Sequence, residues 1–193
     1  AIDLVADKMN IAAALHSGSG TTGSVRLRPW NNATGIDLGS TADVGTKLEL
    51  SDAELDRVTS GLLRIGGTGY TGGIDFSQSI SIGNSLVDQT SLVNAGDIKH
   101  LASQTFAGNK LNLESAGQVD LDGFNSVTML SGSHGGAGGF AFNNNGPLQI
   151  GLIDARPGVT AKAGASGNMT ITTLGAGSVL TYNTISGYTT LTG

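Results

Sequence analysis

The sequence predicts an all-β chain wound as a parallel β-helix, a solenoid of short strands separated by glycine corners, and three observations lead there. Apolar patterns recur in one order three times between residues 111 and 191. Leu111/Leu113, Val119/Leu121 and Val127/Met129 come first; Phe140/Phe142, Leu148/Ile150 and Val159/Ala161 follow; Met169/Ile171, Val179 and Tyr188 with Leu191 close the series. Their first members advance by 29 and 29, 29 and 31, and 32 and 29 residues. A glycine keeps step, since Gly117, Gly146 and Gly177 each precede the middle pattern by two residues. Two-residue hairpin signals are scarce, and an antiparallel sandwich, the alternative for so many short strands, depends on them. Coils of about 20 to 32 residues have no core alone, and stacking gives their inward side chains continuous neighbours.

From the N-terminus, apolar–x–apolar pairs stand at Ile2/Leu4, Met9/Ile11, Val25/Leu27, Ile36/Leu38 and Leu48/Leu50. A period of two puts both members on one face and the residue between them on the other. Gly/Ser/Asn/Thr clusters at 16–23, 31–35 and 39–45 separate them. The pattern then breaks at Ser51-Asp52-Ala53-Glu54, the S-x-x-E form of a capping box. Leu55, Val58 and Leu62 follow at helical spacing, with Gly61 as a C-terminal stop, which predicts one helix of about ten residues over 51–60 with Leu55 and Val58 inward. Strand spacing resumes at Leu63/Ile65, Ile74/Phe76 and Ile80/Ile82, then more weakly at Leu92/Val93, Ile98 and Leu101. Gly96 also leads an apolar residue by two, 21 residues before Gly117, so coil length varies. Pro29, Pro147 and Pro157 suit corners or edges, where no ladder donor is needed.

Composition narrows the function classes. Glycine supplies 31 of 193 residues and charged side chains only 13%, against about a quarter in ordinary domains. Regular apolar spacing separates the chain from disordered sequences of similar composition. Cysteine is absent, which removes disulfides and thiolate metal sites. A net charge of −5 argues against nucleic acid as a partner, and no apolar run is long enough for a transmembrane helix. The opening Ala1-Ile2-Asp3-Leu4-Val5 reads as a strand and the closing Leu191-Thr192-Gly193 stops in mid-pattern. We expect one domain, 1–193, excised from a longer repetitive protein.

The run Ala33-Thr34-Gly35-Ile36-Asp37-Leu38-Gly39, then Leu48-Glu49-Leu50-Ser51-Asp52-Ala53-Glu54-Leu55-Asp56-Arg57-Val58 and Leu63-Arg64-Ile65-Gly66, resembles the repeat region of filamentous-haemagglutinin-type bacterial exoproteins, secreted by the two-partner route. The resemblance covers about residues 1 to 130 well and the remainder by style. It implies a right-handed parallel β-helix at the cell surface, acting as an adhesin or stalk. It carries over no binding site, and the N-terminal secretion domain of such proteins is not evident here.

The residues with chemical potential are few. Asp3, Asp37, Asp75 and Asp120 each sit between two apolar residues and must point outward from strands. Outward carboxylates with a basic partner or an ion would suit a polysaccharide lyase or hydrolase, yet none of the four is near another in sequence and no basic residue recurs with them. Keeping an exposed sheet soluble is the simpler role. The loop 66–76, Gly-Gly-Thr-Gly-Tyr-Thr-Gly-Gly-Ile-Asp-Phe, lacks the aspartate of a calcium nonapeptide, and 131–139 lacks the Gly-Lys-Ser/Thr end of a phosphate loop. His16, His100 and His134 show no metal spacing and are expected in loops or on the surface. Arg26 and Arg28 should face solvent beside Trp30, which either covers a corner or joins an exposed Arg/Trp cluster able to stack on a sugar. Asn32 and Asn168 fit the glycan-acceptor pattern.

The sequence therefore predicts no catalytic residue, cofactor or metal ligand. It predicts an extracellular, structural or adhesive surface segment. The expected partners are host or neighbouring-cell surface molecules or glycans, and like β-helix segments end to end. A β-helical carbohydrate-active enzyme and a subunit of a self-assembling fibre are the alternatives.

Overall fold

Period-two apolar pairs bury one face of each strand, and the chain resolves that burial by setting long parallel sheets against one another. The computed structural model describes the chain apart from residues 19–21, 44, 176–178, 183–184, 187–188 and 193, with backbone alone for 182, 185–186 and 189–192. It is nearly all β. The first sheet has eleven strands. Its main path runs through Ile2–Val5, Ser24–Arg28, Val58–Gly66, Val87–Asn94, Lys110–Ser115, Met129–His134, Leu148–Ile150 and Leu180–Tyr182. The second has eight, in the order Thr189–Thr192, Met169–Leu174, Phe140–Asn145, Val119–Asn125, Ile98–His100, Ile74–Phe76, Ile36–Leu38 and Leu48–Leu50. Every pairing within both sheets is parallel. Between them the chain also visits a short third side, where Ile80–Ser81 pairs with Phe106–Ala107 and Ala107 bridges Ser126.

Register shows how apolar pairs become core. In the first sheet one unbroken ladder runs Leu4, Leu27, Ile65, Leu92, Leu113, Gly132, Val159. In the second, Leu48, Ile36, Ile74, Ile98, Val119, Phe140 and Met169 do the same. Both ladders feed one apolar cluster, whose members from Val25 to Ile171 are almost all fully buried. Gly132 interrupts the aliphatic ladder because a Cβ there would stand 3.0 Å from the Phe140 ring and 2.4 Å from the Leu113 carbonyl oxygen. On the third side Phe106 meets Phe76 edge to face, ring centroids 6.5 Å apart.

Corners expose inward backbone groups that no strand satisfies, and buried asparagines complete them. Asn125 Oδ1 accepts the Phe106 N–H at 2.8 Å, while its Nδ2 donates to the Leu121, Gly123 and Asn143 carbonyls. One layer on, Asn144, its register partner, accepts the Val127 N–H at 2.9 Å. Both side chains are fully buried.

The repeat is real but its phase differs from the sequence reading. Phe140 aligns with Met169, as expected, but Leu111 lies in the other sheet, opposite Leu130 and Thr90. Likewise Val119 pairs with Phe140, not with the Leu148 strand, and Val159 aligns with Gly132 rather than Val127. Met129 is only half-buried; the inward residues there are Val127 and Leu130. Leu148 pairs with Leu180, one residue past the expected Val179, which is exposed. Gly177 and Tyr188 lie outside the described residues.

The helix is shorter than its spacing suggests. It spans Asp52–Leu55, with Asp56 as C-cap. The Glu54 carboxylate accepts the Ser51 N–H at 2.9 Å and the Ser51 hydroxyl at 2.6 Å, and reaches the Ile11 N–H at 3.0 Å. Val58 is buried as expected, but as the first residue of the strand Val58–Gly66, where Leu15 is its partner; Gly61 lies inside that strand and stops nothing. Met9 and Ile11 form no strand, although Ile11 joins the core, and Leu101 is exposed outside any strand.

One element had no sequence forecast. The strands Leu148–Ile150 and Val159–Ala161 both pair with Met129–His134, so they are one strand interrupted at residues 151–158. The interruption is an antiparallel hairpin, Leu152–Ile153 against Arg156–Pro157. Asp154 and Ala155 turn it with φ of 47° and 62°, the backbone of a two-residue hairpin turn. The hairpin folds back over the outer face of the first sheet. There Arg156 pairs with Glu114, Asp154 with Arg64, and the Asp154 N–H donates to Gln89 Oε1 at 3.0 Å. On that outer face Ser91, Asn112 and Ser131 are fully buried and hydrogen-bonded in a row.

Candidate functional site

The outer face of the second sheet gathers what the sequence scatters. Residues that alternate with the inward ladder stack in register as Glu49, Asp37, Asp75, Lys99 and Asp120. Three of the four aspartates noted in the sequence thus share one row, although steps of 38 and 45 residues separate them. Like charges on directly opposed positions destabilise a sheet, and each member is compensated locally. Glu49 accepts the Ser40 hydroxyl at 2.9 Å and the Gly45 N–H at 3.0 Å. Asp37 accepts the Ser77 hydroxyl at 2.5 Å, and Asp75 takes Lys47 Nζ at 2.5 Å. Asp3 belongs to the other sheet, where Arg28 grips it through Nε and Nη2; that hydrogen bond holds the Asp3 carboxyl below its ordinary value.

At Asp120 the compensation changes character. His100, at the end of Ile98–His100, points Nε2 at Asp122 Oδ1, 2.7 Å away, and lies 4.0 Å from Asp120 Oδ1. Asp120 and Asp122 both stand on the outward side of Val119–Asn125, followed by the exposed Phe124. The register with Phe140–Asn145 shifts between Leu121 and Phe124, and a bulge of this kind re-aims a side chain. His100 is therefore neither a loop nor a free surface residue; its ring is almost covered and Nδ1 is buried without a partner.

The other residues singled out in the sequence do not converge. His16 is exposed on Leu15–His16, whereas His134 is fully buried at the end of Met129–His134, contrary to the expected surface position. Burial, and then the positive charge of Lys162, pushes its imidazole below the ordinary value. Trp30 covers no corner and is 76% exposed. It has no arginine cluster beside it in the expected sense, because Arg28 is committed to Asp3 and to the Tyr70 hydroxyl at 2.6 Å, and Arg26 Nε donates to the Gly66 carbonyl at 3.1 Å. The glycine loop at 66–73 is a corner whose Tyr70 is buried against the body. Asn32 and Asn168 are both exposed. Among the described residues, no helix is long and apolar enough to cross a membrane.

No family model, curated protein or solved structure matches the chain.

Proposed function

We propose that the chain is a right-handed parallel β-helix segment of a filamentous-haemagglutinin-type surface exoprotein, working as a stiff stalk that displays loops for binding. The observation that carries this reading is the pair of inward ladders running through every layer, with strands stacked eight deep on each main path. At about 4.8 Å per layer that depth is roughly 34 Å. A protein built this way resists bending because each layer is hydrogen-bonded and packed to the next. Its display surface is the corners and outer faces, where Trp30, Leu101, Phe124 and Leu152 stand exposed. The partners we infer are glycans or proteins on host or neighbouring cells. Ile2–Val5 and Leu48–Leu50 each pair on one side only, and open edges of this kind suit contact with further repeats.

Gene context and location test the reading together. The expected result is a longer reading frame with a secretion domain upstream and an outer-membrane transporter gene beside it, and a product removed by protease from intact cells. A short cytoplasmic product would overturn it.

A carbohydrate-active enzyme is the second reading, and the stacked carboxylates with Lys99 and His100 favour it. Release of reducing or unsaturated ends from acidic polysaccharides, abolished by Asp120→Asn, would establish it in place of the stalk.

A further inference from the structure

We propose that His100, Asp120 and Asp122 form a site for a divalent first-row transition ion of the zinc class. One imidazole nitrogen and two carboxylate oxygens lie within 4.8 Å of one another on adjacent, paired strands. An ion bonded at about 2.0–2.2 Å to each needs ligand atoms no farther apart than about 4.4 Å. The two carboxylates are 46% and 60% exposed, so shifts of a few tenths of an ångström close the gap.

The charge balance points the same way. Asp3, Asp75, Asp88, Glu114 and Asp154 each face a lysine or arginine. Among the described residues, Asp120 and Asp122 have only the His100 ring. Lys99, beside Asp120 in register, lines the recess of Asp75 and Asp97 instead. Two negative charges meeting one imidazole are completed by a cation.

The donor set selects the ion. A nitrogen ligand with two carboxylates suits zinc and its neighbours better than calcium or magnesium, which take oxygen alone. Three protein ligands at a surface leave coordination positions open to water or to an incoming donor. A metal-bound histidine ordinarily donates its second N–H to a partner that strengthens the bond. His100 Nδ1 has none, which sets the affinity at the modest level of an exchangeable ion rather than a structural zinc.

Zinc chloride titrated into the metal-free full chain, followed by calorimetry and by the ring resonances of the three histidines, tests the assignment. The expected result is one equivalent bound, with the His100 resonances shifted and those of His16 and His134 unmoved. Asp120→Asn and Asp122→Asn should each weaken binding by at least the roughly 10–100-fold that losing an outer partner costs, with unchanged thermal unfolding of the metal-free protein. Calcium should leave His100 unshifted. Zinc binding that moves another histidine instead, or that both variants retain, overturns the proposal.

Discussion

Asp154 and Arg64 are 90 residues apart in sequence and meet as a two-point ion pair, Arg64 Nε reaching Asp154 Oδ2 at 3.0 Å while Nη2 bonds the other oxygen. The contact pins the tip of the 151–158 hairpin to a strand laid down several layers earlier. Asp154 is the buried partner, 8% exposed against 39% for Arg64. Losing the arginine therefore strands a carboxylate that water barely reaches. We predict that Arg64→Ala lowers stability by about 1–3 kcal/mol and raises amide exchange across 151–158. Unchanged protection of the hairpin would show that Arg156 and Ile153 hold it alone.

The same hairpin carries a built-in cost. Ala155 sits at φ 62°, where a Cβ is unfavourable by about 1–2 kcal/mol and glycine is not. Ala155→Gly should raise the denaturation midpoint by an amount corresponding to about 1 kcal/mol, less what the freer unfolded chain gives back. A lower midpoint in urea would contradict the turn geometry.

Asn125 is the corner residue with most to lose. Replacement by Ala leaves the Phe106 N–H and three carbonyls without their partner. At about 1–3 kcal/mol for an unsatisfied buried group, Asn125→Ala should cost at least about 2 kcal/mol. Asn32→Ala, at an exposed position, should stay within about 0.5 kcal/mol. Equal midpoints for the two variants in chemical denaturation would sink the corner argument.

His134 ties stability to acidity. Burial lowers its folded-state value below the ordinary 6.5, so the unfolded chain binds the proton more readily. Its contribution is complete above about pH 6.5 and shrinks as pH falls below that value through the folded one. Thermal unfolding between pH 7.5 and 5 should show a decline that His134→Gln flattens. Asp3 acts in a separate, lower window, below its ordinary 3.8. Parallel curves for wild type and variant would assign the decline to other groups.

Strands were legible wherever two apolar residues bracketed an outward one, as at Val25/Leu27, Ile36/Leu38 and Ile74/Phe76. What spacing could not reveal was the sheet to which each pair belongs. Inward pairs look alike on every side of a layer, and returns to the second sheet take 24, 21, 21 and 29 residues between Ile74 and its successors up to Met169, after 38 from Ile36. A constant count of 29 therefore matched Leu111 to Phe140 across different sheets. Val58 answered to both periods; β-branched Val58-Thr59 and the waiting partner Leu15–His16 decided for strand. The hairpin lacked an Asn-Gly or Asp-Gly signal, its turn being Asp154-Ala155. The acidic row was invisible because only the layer lengths align Asp37, Asp75 and Asp120, and His100 joins Asp122 through a bulge that no residue pattern announces.

The strand Leu48–Leu50 has a consequence for how the molecule is made. It pairs only with Ile36–Leu38, on the side away from Ile74–Phe76, and so shares the terminal layer with Ile2–Val5. Ser24–Arg28 and Ile36–Leu38 make up the next layer inward. The outermost layer is therefore knit from the first and the fiftieth residues, with the second layer's strands lying between them in the chain. A polypeptide emerging N-terminus first cannot set down these layers in the order it is spelled; its end must wait for its interior, and assembly has to start from within and close outward.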